Sequence, residues 1–95
     1  ITNNITKINL SVKPNPIISS SVIEYELPQF GKLNMNVIDM NGRLITNLFD
    51  GYKTKGTYQL NINNTLKSNL ISKGIYFLQF DFNGKRQIEK LVIAN

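Results

Sequence analysis

Four groups of residues in this chain have the types and spacing to do chemistry. Glu24 and Glu26, two apart, would share one face of a strand, where paired carboxylates can exchange protons or hold a cation. Acidic residues on the wet face of an antiparallel strand are routine, however, and that reading takes precedence. Asp39-Met40-Asn41-Gly42 carries a fragment of calcium-loop spacing, but the loop needs further oxygen ligands and a Glu at its twelfth position, and Asp50 stands there instead. A hairpin turn fits these four residues better. Tyr52, Lys53, Lys55 and Tyr58, or Lys85, Arg86 and Lys90, could be assembled into a basic and aromatic nucleic-acid surface. The competing reading places Tyr58 in a core and the lysines in water, so no nucleic-acid partner is expected.

Composition narrows the chemistry further. The 95 residues contain neither cysteine nor histidine, which removes thiolate nucleophiles, disulfides, the commonest general base and the commonest zinc ligands. No Ser-base arrangement, Gly-rich phosphate loop or metal cluster is evident, so no enzyme activity and no cofactor are assigned. Eleven Lys and Arg against six Asp and Glu give a formal charge of +5, which suits an anionic partner surface. No window approaches the roughly 18 apolar residues of a membrane span. Asn4-Ile5-Thr6 and Asn63-Asn64-Thr65 match the glycosylation acceptor, a pattern expected by chance in so Asn-rich a chain.

The elements that position these groups follow from alternation and turn residues. Residues 1–7 are polar and weakly patterned and are expected to be a tether, with a single domain over residues 8–95. Ile8, Leu10 and Val12 mark a half-buried strand that stops at Pro14-Asn15-Pro16, where two prolines withhold backbone donors. Ile23, Tyr25 and Leu27 alternate next. Leu33, Met35 and Val37 follow, leading through Asn41-Gly42 into a hairpin partner, Arg43 to Phe49, closed by Asp50-Gly51. Gly56 opens a strand with Tyr58, Leu60 and Ile62 inward, and residues 65–72 form a polar connection with room for a helical turn.

The densest signal comes last. Lys73 to Phe82 and Lys85 to Ala94 flank Asn83-Gly84, the pair that tolerates the positive φ angles of a type I′ turn. Tyr76, Leu78, Phe80 and Phe82 share one face, while Ile75 and Phe77 on the other suggest a strand covered on both sides. The final strand shows no strict alternation, and no internal repeat is evident. Seven short strands without helical periodicity predict an all-β, seven-stranded, immunoglobulin-like (Greek-key) antiparallel β-sandwich, with a small barrel as the alternative.

Six landmarks in order carry a family resemblance. They are Leu10-Ser11-Val12-Lys13-Pro14-Asn15-Pro16, Val22-Ile23-Glu24-Tyr25-Glu26-Leu27, Met35-Asn36-Val37-Ile38-Asp39 with Asn41-Gly42-Arg43-Leu44-Ile45, Gly56-Thr57-Tyr58-Gln59-Leu60, Leu70-Ile71-Ser72-Lys73-Gly74-Ile75-Tyr76-Phe77, and Lys90-Leu91-Val92-Ile93. The chain thereby resembles the C-terminal sorting domain, type A, of the bacterial type IX secretion system. That resemblance implies an immunoglobulin-like address label on an upstream cargo protein, which directs the cargo through the periplasm and across the outer membrane. It implies as partners the outer-membrane secretion apparatus and a sortase-like protease that removes the domain and joins the cargo to anionic lipopolysaccharide. The cargo would end up secreted or at the cell surface, and the cut would fall near or before residues 1–7.

By the same resemblance Pro14, Asn15, Pro16, Asn41, Gly42 and Arg43 are structural. Gly74, Tyr76, Leu91, Val92 and Ile93 match the stretches tied to recognition, and Lys85, Arg86 and Lys90 supply basic groups on the same terminal hairpin. A terminal strand can offer a partner both backbone hydrogen bonds and charge, and can pair edge to edge with a second copy. The alternative is an accessory or carbohydrate-binding sandwich, which would display exposed aromatics, Trp above all; this chain has no Trp.

Overall fold

The computed structural model describes residues 8–13, 22–62 and 72–93. They form seven strands: β1 (Asn9–Lys13), β2 (Val22–Leu27), β3 (Gly31–Asp39), β4 (Leu44–Lys53), β5 (Gly56–Asn61), β6 (Gly74–Phe82) and β7 (Lys85–Ile93). One antiparallel sheet has the order β1-β2-β5 and the other β4-β3-β6-β7. The neighbours β2 and β5, like β3 and β6, are distant in sequence, which is the Greek-key crossing of an immunoglobulin-like sandwich. The expected fold is the one the chain adopts.

Period-two alternation builds the core. Ile23, Tyr25 and Leu27 of β2 are buried with Leu33, Met35 and Val37 of β3, and with Tyr76, Leu78, Phe80 and Phe82 of β6. Tyr25 meets Phe80 edge-on, ring centroids 5.4 Å apart, so an aromatic contact joins the sheets in a chain without cystine or Trp. Tyr25 also stacks on Tyr58 at 5.4 Å, and burial, with Tyr58 beside it, pushes its hydroxyl up to about 12.

Four expectations need correction. Gly51 does not close β4; it lies within the strand opposite Leu33, with the Phe49 ring beside it. The β3–β4 pairing shifts register twice, between Met35 and Asn36 and between Val37 and Ile38, leaving Leu48 and Ile45 as bulged residues. Asn47 secures the first shift by donating to Asn36 Oδ1 (2.7 Å), Asn34 Oδ1 (2.9 Å) and the Met35 carbonyl (3.2 Å).

The second correction concerns the Asn-Gly turns. Asn83 and Gly84 both have positive φ (50° and 83°), as a two-residue type I′ turn requires. At Asn41-Gly42 only Gly42 does (82°), and the Asp39 N–H reaches the Arg43 carbonyl at 3.0 Å, which makes a longer loop closed by a left-handed glycine. Third, β6 is central in its sheet but not covered on both faces, since Ile75 on the outward face is 37% exposed. Fourth, a short repeat does exist: Thr54-Lys55-Gly56-Thr57-Tyr58 and Ser72-Lys73-Gly74-Ile75-Tyr76 build the same corner twice. The readings of Pro14-Asn15-Pro16, residues 1–7, 65–71 and 94–95 lie outside the described residues.

Candidate functional site

The acidic groups are absorbed by local structure. Glu24 and Glu26 lie on the outward face of the three-stranded sheet, where Glu24 accepts from Gln59 Nε2 (3.0 Å) and Glu26 from Asn9 Nδ2 (3.3 Å). Among the described residues no cluster of three or more acidic groups is placed to hold a metal. The Asp39 carboxylate turns into its own loop. Its Oδ1 accepts the N–H groups of Asn41 and Arg43, each at 2.9 Å, and its Oδ2 lies 3.3 Å from Arg43 Nε. The Arg43 N–H bond foremost, then the Asn41 N–H and the Arg43 charge, lower the Asp39 pKa. The calcium-loop fragment is thus an Asx turn, and Asn41, Gly42 and Arg43 serve it.

The aromatic groups divide in two. Phe30 (60% exposed) and Tyr52 (63% exposed) stack on each other at 5.6 Å and 10°. The two near-parallel rings form an exposed aromatic pair next to β3 and on β4. Lys53 Nζ sits 4.2 Å from the Tyr58 ring centre and 4.7 Å from that of Phe49, which fixes this lysine against the fold.

Gly74 and Tyr76 form one of the twin corners. The Tyr76 hydroxyl donates to the Ser72 carbonyl at 2.9 Å, and the Tyr58 hydroxyl donates to the Thr54 carbonyl at 2.8 Å. Each ring lies over the intervening glycine, whose φ (147° at Gly74, 154° at Gly56) is open to glycine almost alone. Tyr76 opens the β-strand in which immunoglobulin-like folds place such a corner. Its duplication at Gly56–Tyr58 identifies the arrangement as a way to start a strand, so Gly74 and Tyr76 position the terminal hairpin.

Register sorts the remaining candidates onto two faces of β7. Lys85, Gln87, Glu89, Leu91 and Ile93 pair with the inward positions of β6, and Leu91 and Ile93 are core. Arg86, Ile88, Lys90 and Val92 alternate on the outward face. The three basic residues therefore do not share a face: Lys85 is an exposed residue at the inner rim, while Arg86 and Lys90 are outside. Arg86 is already engaged, its guanidinium meeting the cross-strand Asp81 carboxylate at 2.8 and 3.1 Å, which raises its pKa.

The outward face of the larger sheet is ordered in rows. Asp50, Asn34, Asp81 and Arg86 align across the four strands; next come Asn47, Asn36, Gln79 and Ile88; then Leu44, Ile38, Phe77 and Lys90; then Ile75 with Val92. The surface passes from charged through amide to apolar along the strands. Leu44 is 57% and Ile88 54% exposed. Sequence reasoning missed Ile88 and Leu44, although both are apolar at positions where alternation demands a polar residue.

Comparison with known families gives one finding. The family model described as the secretion system C-terminal sorting domain matches residues 11–94, which takes in all six landmarks in whole or in large part. No curated protein matches the chain.

Proposed function

Because the chain belongs to the family of type IX secretion C-terminal sorting domains, we propose that it is the export label of an upstream cargo protein, read by the outer-membrane apparatus on its terminal hairpin and then cut from the cargo. The match over residues 11–94 is the observation that carries this reading. Residues 1–7 serve as the tether in which a sortase-like protease cuts, and the cargo is then released or attached to anionic lipopolysaccharide at the surface.

The surface read by the apparatus is the outward face of β6 and β7: Arg86, Ile88, Lys90 and Val92 with Ile75 and Phe77 beside them. Support comes from position and chemistry. Among the described residues β7 ends the order of its sheet, so its outward side chains lie at the margin of that face. Its outward side chains combine apolar area with positive charge, which suits an apolar partner segment bearing acidic groups. Leu91, Ile93 and Tyr76 act from inside, by holding β7 and the start of β6 in register; Gly74 allows that start and Lys85 borders the inner rim.

The test is a fluorescent reporter fused ahead of the chain in a type IX-competent strain. Export that depends on the chain and is lost in a strain lacking the apparatus is expected; a reporter retained in the periplasm of the competent strain contradicts the label. Mass spectrometry of the exported reporter checks processing, since a sorting domain still attached would count against the cut.

A further inference from the structure

β7 contains a polar residue at an inward position that the core does not require. Gln87 stands opposite Phe80, one of the most buried side chains of the sandwich, yet it carries a carboxamide. That carboxamide reaches across the open side between the sheets. Its Oε1 accepts the Ile8 N–H at 2.6 Å, and its Nε2 donates to the Ile8 carbonyl at 3.2 Å. Both bonds are partly buried and join residues 79 apart in sequence.

Ile8 needs such a partner. The β1–β2 ladder begins with Asn9 opposite Glu26, so Ile8 lies one residue ahead of it, and among the described residues no strand pairs with its backbone. The Gln87 side chain supplies one donor and one acceptor in the arrangement a neighbouring strand would offer. It thereby extends the ordered backbone of β1 by one residue and attaches that residue to β7, the strand at the far edge of the opposite sheet. Pro28 and Phe82 line the same cleft, of about 190 Å³, and shelter the pair.

We infer that the Gln87 carboxamide is a clasp that pins the Ile8 backbone to β7, and so limits how far a protease can cut into the domain from its N-terminal side. Proteases bind extended, unpaired backbone, and a residue whose N–H and carbonyl are both engaged is withheld from them. The consequence for processing in the cell rests on the sorting-domain reading; the boundary itself does not.

The test is limited digestion of the 95-residue chain with proteinase K, with the start of the resistant fragment read from its intact mass. Gln87→Met keeps the length of the side chain and loses both bonds. Ile8→Pro leaves β7 untouched, and removes the N–H that gives the 2.6 Å bond. The native fragment is expected to begin at or before Ile8, and both variants at Leu10 or later, with Ile8 amide exchange in Gln87→Met faster by roughly tenfold. A fragment that begins at the same residue in the native chain and in Ile8→Pro overturns the clasp, and if Gln87→Met does not fold Ile8→Pro alone decides. A boundary that moves while exported cargo keeps its domain supports the clasp and counts against processing.

Discussion

The two ends of the sandwich are built differently. At the end where Ile8 enters, polar groups stitch the chain together: Gln87 holds Ile8, and Asn83 in the β6–β7 turn accepts the Lys32 N–H at 2.9 Å while its own N–H donates to the Lys32 carbonyl at 2.9 Å. At the end where β7 finishes, Ile93 pairs with Gly74, Tyr76 closes its corner on Ser72, and the outward surface turns apolar through Leu44, Ile75 and Val92. The nine residues of β7 join the two ends over roughly 26 Å. Under the proposed function, a partner held at the β7 end would leave the Ile8 end accessible.

Substitutions at each end test whether the two are independent. The largest effect is expected from Phe80→Ala, which removes a fully buried ring that both ends share and should cost about 3–5 kcal/mol. Denaturant titration followed by probes at each end should give coincident transitions; separate transitions would mean that the ends fold independently. Next is Gly31→Ala. A Cβ there would come within 2.5 Å of the Asn83 carboxamide and displace it from Lys32, at a cost of about 0.5–1.5 kcal/mol. Hydrogen exchange should accelerate at Lys32 and Asn83 and stay unchanged at Tyr76.

Tyr76→Phe acts at the opposite end, removing the hydroxyl bond to Ser72 and lowering stability by about 1 kcal/mol in the same titration. Tyr58→Phe should cost a similar amount if the twin corners are equivalent. The smallest effect belongs to Asp39. Its folded-state pKa is lowered, so its contribution is complete above the ordinary carboxylate range and is lost as pH falls through the folded value. Thermal midpoints measured from about pH 6 to about pH 2 should fall more steeply for the native chain than for Asp39→Asn, the two converging in acid.

The fold was legible because alternation is strong wherever one face is buried: Ile23 to Leu27, Leu33 to Val37 and Tyr76 to Phe82 could each be assigned a face from sequence alone. β4 was not legible. Two bulges shift its register, and nothing in Arg43 to Lys53 announces that Asn47 will reach back to Asn34 and Asn36. The irregular pattern of β7 has a physical explanation that only the third dimension supplies. Lys85, Gln87 and Glu89 occupy inward positions at the open side of the sandwich, where Gln87 serves Ile8, and Leu91 and Ile93 return to the core. The candidate surface was legible as a hairpin and not as a face. Grouping Lys85, Arg86 and Lys90 by charge overlooked the pleat, and Ile88, apolar between Gln87 and Glu89, was the signal available.

In the proposed function the secretion apparatus reads the outward face of β6 and β7. Export of a reporter fusion bearing Ile75→Asp and Ile88→Asp, both exposed and outside the core, tests this, with a Phe30→Asp, Tyr52→Asp fusion as the control at the other end. Each pair is expected to cost about 1–3 kcal/mol, and thermal unfolding checks that both fusions remain folded. Export lost for the first fusion and retained for the second is the predicted result; a folded Ile75→Asp, Ile88→Asp fusion exported as well as the native one would contradict it.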